Sequence, residues 1–298
     1  MTATISVPVQ DTADAKPATR RRRGSGVRRR PGPLLYLTLT ALVFFSAFPL
    51  YYSIVVASST NSVLSDVPPP FLPGGHLLEN LRRAFDTVDF VKALTNSFIV
   101  SGSITISVVF FSTLAGFAFA KLRFRGSNVA LVIIIATMMV PTQLGIIPLY
   151  MTMQKFHLIG TIAAVIVPSL VSAFGVFFMT QYLRTAVPTE LIEAARVDGC
   201  HTLRIFWHVV VPAARPAAAV LGMLTFMNAW NDFFFPLVVL TPEDPTVQTA
   251  LSNLASGYVQ DFSLTLTGTT IATVPLLIVF VVLGRHIIGG IMQGAIRE

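Results

Sequence analysis

The chain has 298 residues, 53% hydrophobic and only 12% charged, with a mean hydropathy of +0.71. Water-soluble domains carry about 25% charged residues, so this composition excludes an ordinary soluble globule and sets most of the surface against lipid. The net charge of +7 does not point to nucleic acid: Lys16 and the arginines Arg20–Arg23 and Arg28–Arg30 crowd the first 30 residues without interleaved aromatics, and a hydrophobic run follows at once.

Residues 1–33 are expected to form a basic, solvated cytoplasmic tail, and residues 34–298 one membrane domain with no separate soluble domain. The first hydrophobic run, Leu34–Val56, is about twice as long as a signal-peptide core. It reads as a retained anchor, despite a weak small-residue site near Val55–Ser58. A bilayer offers no water to backbone groups, so each crossing is a helix of about 20 residues. Six stretches qualify: Leu34–Val56, Asn96–Ala120, Val129–Tyr150, Thr161–Met179, Ala217–Leu240 and Leu266–Gly284. The fold class expected is therefore all-α integral membrane, with six transmembrane helices.

Basic residues orient the bundle, because Lys and Arg stay on the cytoplasmic side. With the amino terminus inside, the outer segments hold only Arg82, Arg83, Lys92 and Lys155, and the rest of the 21 Lys and Arg fall inside. Both termini are then cytoplasmic. Pro49, Pro141, Pro168, Pro236 and Pro275 lie within spans, where each removes a helix hydrogen bond and favours a kink. Two outer segments, Ala57–Thr95 and Thr241–Ser263, are long enough to meet another protein. The second carries Glu243, Asp244 and Asp261 with no basic residue, a bias that the charge asymmetry also explains.

The inner segment at about residues 181–216 exceeds what a bilayer turn requires. Thr189 is placed to cap a helix with Glu190 in its first turn, running through Glu193, Ala194 and Ala195 to about Asp198. Gly199 suits the left-handed conformation that ends a helix. A second short helix is expected from Thr202, with Leu203, Phe206 and Val210 on one face, and Pro212 and Pro216 mark the return to the membrane. The alanines allow another backbone to approach, and Phe206 and Trp207 offer apolar anchors. Pattern alone leaves two readings open: a knob that docks in a partner's groove, or an amphipathic hairpin lying on lipid.

The run from Glu193 to Gly199 (EAARVDG), with Phe206, Pro212 and Pro216, resembles the EAA loop of binding-protein-dependent ABC importer permeases. Cys200 stands where that family usually has alanine. The stretch FMNAWNDFFFPLVVL and the ending GGIMQGAIRE are similar to the carbohydrate-uptake branch, and the resemblance begins near Leu34. It implies a type I importer-like bundle in which the EAA loop forms coupling helices seated on an ATPase. Glu193, Ala194, Ala195, Asp198, Gly199, Phe206 and Pro212 would then be coupling residues. The implied partners are a second permease subunit, two ABC ATPases and an extracytoplasmic solute-binding protein, in a bacterial inner membrane. ATP and Mg would sit on the ATPases. Consistently, the sequence has no G-x-x-x-x-G-K-[ST] and no metal-ligand cluster among its five scattered histidines.

Asp232 is the only acid in the six spans, and intramembrane charges are functional candidates. Asn228, Trp230, Asn231 and Asp232 together offer hydrogen bonds and an aromatic face for a sugar ring, or alternatively a structural network between helices. Asn96, Thr142 and Gln143 are further candidates for lining a path. A single intramembrane acid argues against an intramembrane enzyme. The expected function is ATP-driven import of a sugar or oligosaccharide by alternating access, with glycerol phosphate, a polyol or a polyamine as the alternative solutes.

Overall fold

The computed structural model describes residues 32–62, 67–256 and 260–295. The arginine-rich tail and the last three residues lie outside the described residues. All regular elements among the described residues are helical. The chain divides into two units at Ala47/Phe48, inside its first helix, α1 (Pro33–Ala57). In the first unit the successive residues Leu34, Leu35, Tyr36 and Leu37 are all exposed and so go right round α1, the pattern of a helix made for lipid.

The second unit opens with the last turns of α1 and a short surface helix, α2 (Leu77–Thr87). The long helix α3 (Phe90–Lys121) follows, started by Asp89, whose carboxylate accepts the Lys92 N–H at 2.9 Å. At 1.5 Å per residue α3 is about 48 Å long, more than a bilayer's hydrocarbon thickness of about 30 Å. Next come α4 (Ser127–Thr137), α5 (Ile146–Lys155), α6 (Ala163–Ile166), α7 (Ala173–Ala186), α8 (Thr189–Val197) and α9 (Thr202–Ile205). The last four are α10 (Val211–Trp230), α11 (Phe234–Val239), α12 (Val247–Ala255) and α13 (Phe262–Ala295).

Among the described residues four helices are long and apolar enough to cross a membrane: Pro33–Ala57, Phe90–Lys121, Thr202–Trp230 and Phe262–Val282. Two bent pairs bring the total to as many as six. The kinks expected at Pro141 and Pro168 in the third and fourth spans are full breaks. The third breaks after α4 and bends by 89° before Thr142–Lys155. Pro141 causes the break, since it has no N–H to give and disfavours helical geometry at Val140. Around Pro168 the fourth tightens into a 3₁₀ turn, Val167–Ser169, and bends by 40° before α7. Freed backbone groups at this second break find partners: Ser107 on α3 donates to the Leu170 carbonyl at 2.8 Å, and the Ser172 Oγ accepts the Gly175 N–H. The fifth span is also interrupted, at Asn231–Phe233, just ahead of Pro236. Pro49 and Pro275 sit inside unbroken helices.

Packing centres on α3, which lies against α7 and α10. Water-driven burial cannot hold helices together inside lipid, so close packing must. Glycines supply it. A Cβ on Gly116 of α3 would come within 2.9 Å of the Met179 carbonyl carbon and the Thr180 nitrogen, and one on Gly175 of α7 would collide with the Ser112 hydroxyl. Val100, Ile104, Val108, Phe117, Met179, Leu183 and Leu221 fill this core. A smaller core around Phe226, Trp230, Val247 and Ala272 joins α10 to α12 and α13.

The segments flanking these helices are tied by polar contacts. Arg83 pairs with Asp261 at 2.6 Å and Lys92 with Asp244 at 2.8 Å. Asn80 donates to the carbonyls of Ala57 and Ser59, and Asn61 both donates to the Gln260 carbonyl and accepts the Phe262 N–H. Asn96 donates to the Pro245 carbonyl and is buried, so it braces a loop rather than lining a path. Two of the three acids of the Thr241–Ser263 segment are thus occupied within the chain.

Replacing Gly116 by Val must push α3 and α7 apart, at about 2–3 kcal/mol. The detergent-solubilised variant should melt several degrees below the parent, while Gly102→Ala, where a Cβ meets nothing within 4 Å, should not. Equal melting of all three proteins would refute the close α3–α7 crossing.

Candidate functional site

Two places carry chemistry: the knob formed by α8 and α9, and a polar cavity at the far end of α10. Helix α8 opens directly after Pro188, whose φ of −58° is preset for the turn. Thr189 is the first helical residue and not the cap, correcting the sequence expectation. At its other end the helix closes as a Schellman motif. Gly199 adopts φ +79°, its N–H donates to the Arg196 carbonyl at 3.0 Å, and the Cys200 N–H donates to the Ala195 carbonyl at 2.9 Å. Only glycine takes that φ without strain. Ile192 is the buried side of α8; Glu193, Ala194, Asp198 and Gly199 face outward, and Ala195 is half-buried. Leu191 and Val197 are exposed beside them. The residues singled out by resemblance in the sequence do not include these two, although their spacing around Ala194 puts them on the same helical face.

The second half of the knob is more rigid than a short separate helix. His201 caps it, its Nδ1 accepting the Arg204 N–H, and the helix then runs without interruption from Thr202 to Trp230. One π-helical turn, Phe206–Val210, absorbs Pro212: with no N–H at residue 212, the Val211 N–H reaches back to the Phe206 carbonyl. The wider turn shifts the register. Leu203 is exposed, while Phe206 and Val210 are buried, and Leu203 and Phe206 border one cleft with residues of α3. Phe206 is no anchor for a partner. It is 2% exposed and seated against Phe110 and Phe117 of α3, with ring centroids at 6.4 and 6.0 Å. Trp207 remains exposed, stacked on Phe110.

At 1.5 Å per residue the Thr202–Trp230 helix is about 43 Å long. Its far end reaches a cavity of about 730 Å³. The lining combines Asn228 and Asp232 with Thr137 and Thr142 from the first break and Ser169 and Ser172 from the second. Three interruptions of the membrane helices thus converge on one space, where irregular backbone is tolerated because it borders a cavity. Asp232 sits in the break after α10, its carboxylate toward the amides of Phe234 and Phe235. Among the described residues no Lys, Arg or His lines the cavity.

The four residues grouped by sequence separate here. Asn228 and Asp232, one turn apart, line the cavity. Asn231 faces elsewhere, donating to the Met227 carbonyl and accepting from Gln248. Trp230 is buried at 1% exposure, stacked on Phe226 and edge-on to Phe98, and its indole N–H donates to the Ala272 carbonyl at 3.2 Å. Its face is taken by helix packing and is not open to a sugar. Of the further path candidates, Thr142 lines the cavity and Gln143 does not.

These placements separate stability from transport. Trp230→Ala should cost about 3–5 kcal/mol and lower the melting temperature sharply. Asn228→Ala should leave melting unchanged and reduce solute uptake. A stable Trp230→Ala protein, or full uptake by Asn228→Ala, would reverse the assignment.

Residues 109–292 match the family described as the binding-protein-dependent transport system inner membrane component. The arabinooligosaccharides transport system permease protein AraQ of Halalkalibacterium halodurans is 31% identical over 91% of this chain and 100% of its own length. The lactose transport system permease protein LacG of Rhizobium radiobacter is 33% identical over 91% of this chain and 98% of its own length. The sn-glycerol-3-phosphate transport system permease protein UgpE of Escherichia coli strain K12 is 29% identical over 83% of this chain and 90% of its own. In fold, the chain superposes with a TM-score of 0.74 on a chain from the crystal structure of a bacterial ABC transporter involved in the import of the acidic polysaccharide alginate. The identity there is 22%, over 85% of this chain and 94% of that one. With a knob and a cavity joined by one helix, and with full-length permeases among its relatives, the chain belongs to the family of binding-protein-dependent transport system inner membrane components, as a multi-pass permease subunit of an ABC importer.

Proposed function

We propose that this permease moves a neutral sugar or oligosaccharide by alternating access, powered by ATP hydrolysis on separate subunits. The observation that carries the proposal is the single helix from Thr202 to Trp230, with the EAA knob at one end and the polar cavity at the other. A push on the knob moves the Asn228 end with it, since one continuous helix joins the two.

In this reading six crossings put the knob and both termini in the cytoplasm. Glu193, Ala194, Ala195, Asp198 and Gly199, joined by Leu191 and Val197, form the face that seats in a groove of one ABC ATPase. Phe206 and Pro212 transmit the movement inside the chain. A second permease subunit completes the pathway, the second ATPase serves that subunit, and an extracytoplasmic binding protein delivers the solute. ATP and Mg are held by the ATPases alone.

The cavity lining favours a neutral solute. Hydroxyls of Thr137, Thr142, Ser169 and Ser172 with the amide of Asn228 match the alternating donors and acceptors of a sugar. The names of two relatives, for arabinooligosaccharides and lactose, support the same class. A glycerol phosphate, suggested by the third relative, calls for a cation beside the phosphate, whereas the charged side chain here is the Asp232 carboxylate.

The test uses the complete transporter in proteoliposomes. Gly199→Val forces a β-branched residue into a left-handed conformation at about 1–2 kcal/mol. Solute-stimulated ATP hydrolysis and labelled-sugar uptake should both fall by on the order of tenfold, with the subunits still co-purifying. Asp232→Asn should change uptake selectivity, admitting anionic solutes more readily, and leave basal hydrolysis intact. Wild-type coupling in Gly199→Val, or purification without any ABC ATPase, would remove the proposal.

A further inference from the structure

A second cleft, of about 440 Å³, lies between the end of α3 and the flank of α8. Lys121, Arg123 and Arg196 line it, with Glu193 as the opposing charge and Phe124 and Thr189 beside them. The Lys121 ammonium donates to the Arg184 carbonyl at 3.0 Å, which fixes it at the cleft wall. Among the described residues the ion pairs are His76–Glu79, Arg83–Asp261 and Lys92–Asp244, so neither Arg123 nor Arg196 has a carboxylate partner. Three cations thus line the cleft with Glu193, and Glu190 is near enough to act on Lys121, which leaves a net positive charge in a space large enough for a phosphate group and its substituent.

Position narrows the occupant. Lys121 is the last residue of α3, a helix longer than the hydrocarbon layer, so its end reaches the headgroup region. Phosphate groups are concentrated at that depth, and arginine matches a phosphate through its planar fork of donors. Phe124, 44% exposed, suits the same interfacial layer.

We infer that this cleft binds the phosphodiester headgroup of an anionic phospholipid, and so clamps the α8 coupling helix to the end of α3. Lipid composition then sets how stiffly the knob is held. The inference does not depend on which solute is carried.

The whole transporter, purified in detergent, is offered equal amounts of phosphatidylglycerol and phosphatidylcholine, and retained lipid is counted by native mass spectrometry. The parent should retain phosphatidylglycerol preferentially. Lys121→Gln with Arg123→Gln should lower that preference by about fivefold for each cation removed, whereas Arg123→Lys should keep most of it. Arg123→Gln alone leaves the Lys121–Arg184 contact in place and covers the case in which the double variant fails to assemble. Equal preference in parent and variants overturns the inference, as does a parent that shows none. Release of the lipid by millimolar inorganic phosphate would assign the cleft to a free anion and overturn the lipid assignment.

Discussion

Inside a bilayer every backbone N–H and C=O must be satisfied by the protein itself, and the Thr202–Trp230 segment continues as one helix of 29 residues although Pro212 and Pro216 have no N–H to give. Pro212 is absorbed by one π-helical turn instead of a break. Because the helix continues through both prolines, its two ends are joined by one element. That continuity makes it possible for a surface knob to govern a cavity some 40 Å away.

The other spans use the same constraint in the opposite sense. Where Pro141 and Pro168 interrupt the helices, the loosened backbone borders the cavity, and at the second break Ser107 and Ser172 take up backbone groups. Continuous and broken elements therefore have separate tasks: α3 is the frame against which the helices pack, the α9–α10 helix joins knob to cavity, and the bends supply polar backbone and hydroxyls to the path. The close crossing at Gly116 and Gly175 joins the two kinds, because α7, which follows the second break, rests directly on α3.

Much of this was legible from residue types. Composition and run length locate the hydrophobic stretches, and Gly199 announces the end of α8 because a left-handed residue is needed there. Where the sequence reading strays, the cause is tertiary. Trp230 and Phe206 look like exposed aromatics in a polar or surface setting, yet both are claimed by neighbouring rings on α3 and α10. Asn96, polar in an apolar stretch, turns out to hold the Pro245 carbonyl. Leu191 and Val197 escape notice because nothing in a linear motif says which face of α8 remains open.

By itself the sequence determined the membrane environment, the hydrophobic stretches and their charge asymmetry, and the turn at Gly199. Each depends on local chemistry: apolar side chains over about 20 residues, charge beside them, and a backbone that only glycine adopts freely. Tertiary structure alone decided that Pro141 and Pro168 break their helices while Pro49 and Pro275 do not, that Asn228 and Asp232 share a cavity while Trp230 and Asn231 turn away, and that the knob and α10 form one rod. Those outcomes depend on which distant groups take up the bonds a proline frees and which rings fill the space between helices, and neither is encoded within any single segment.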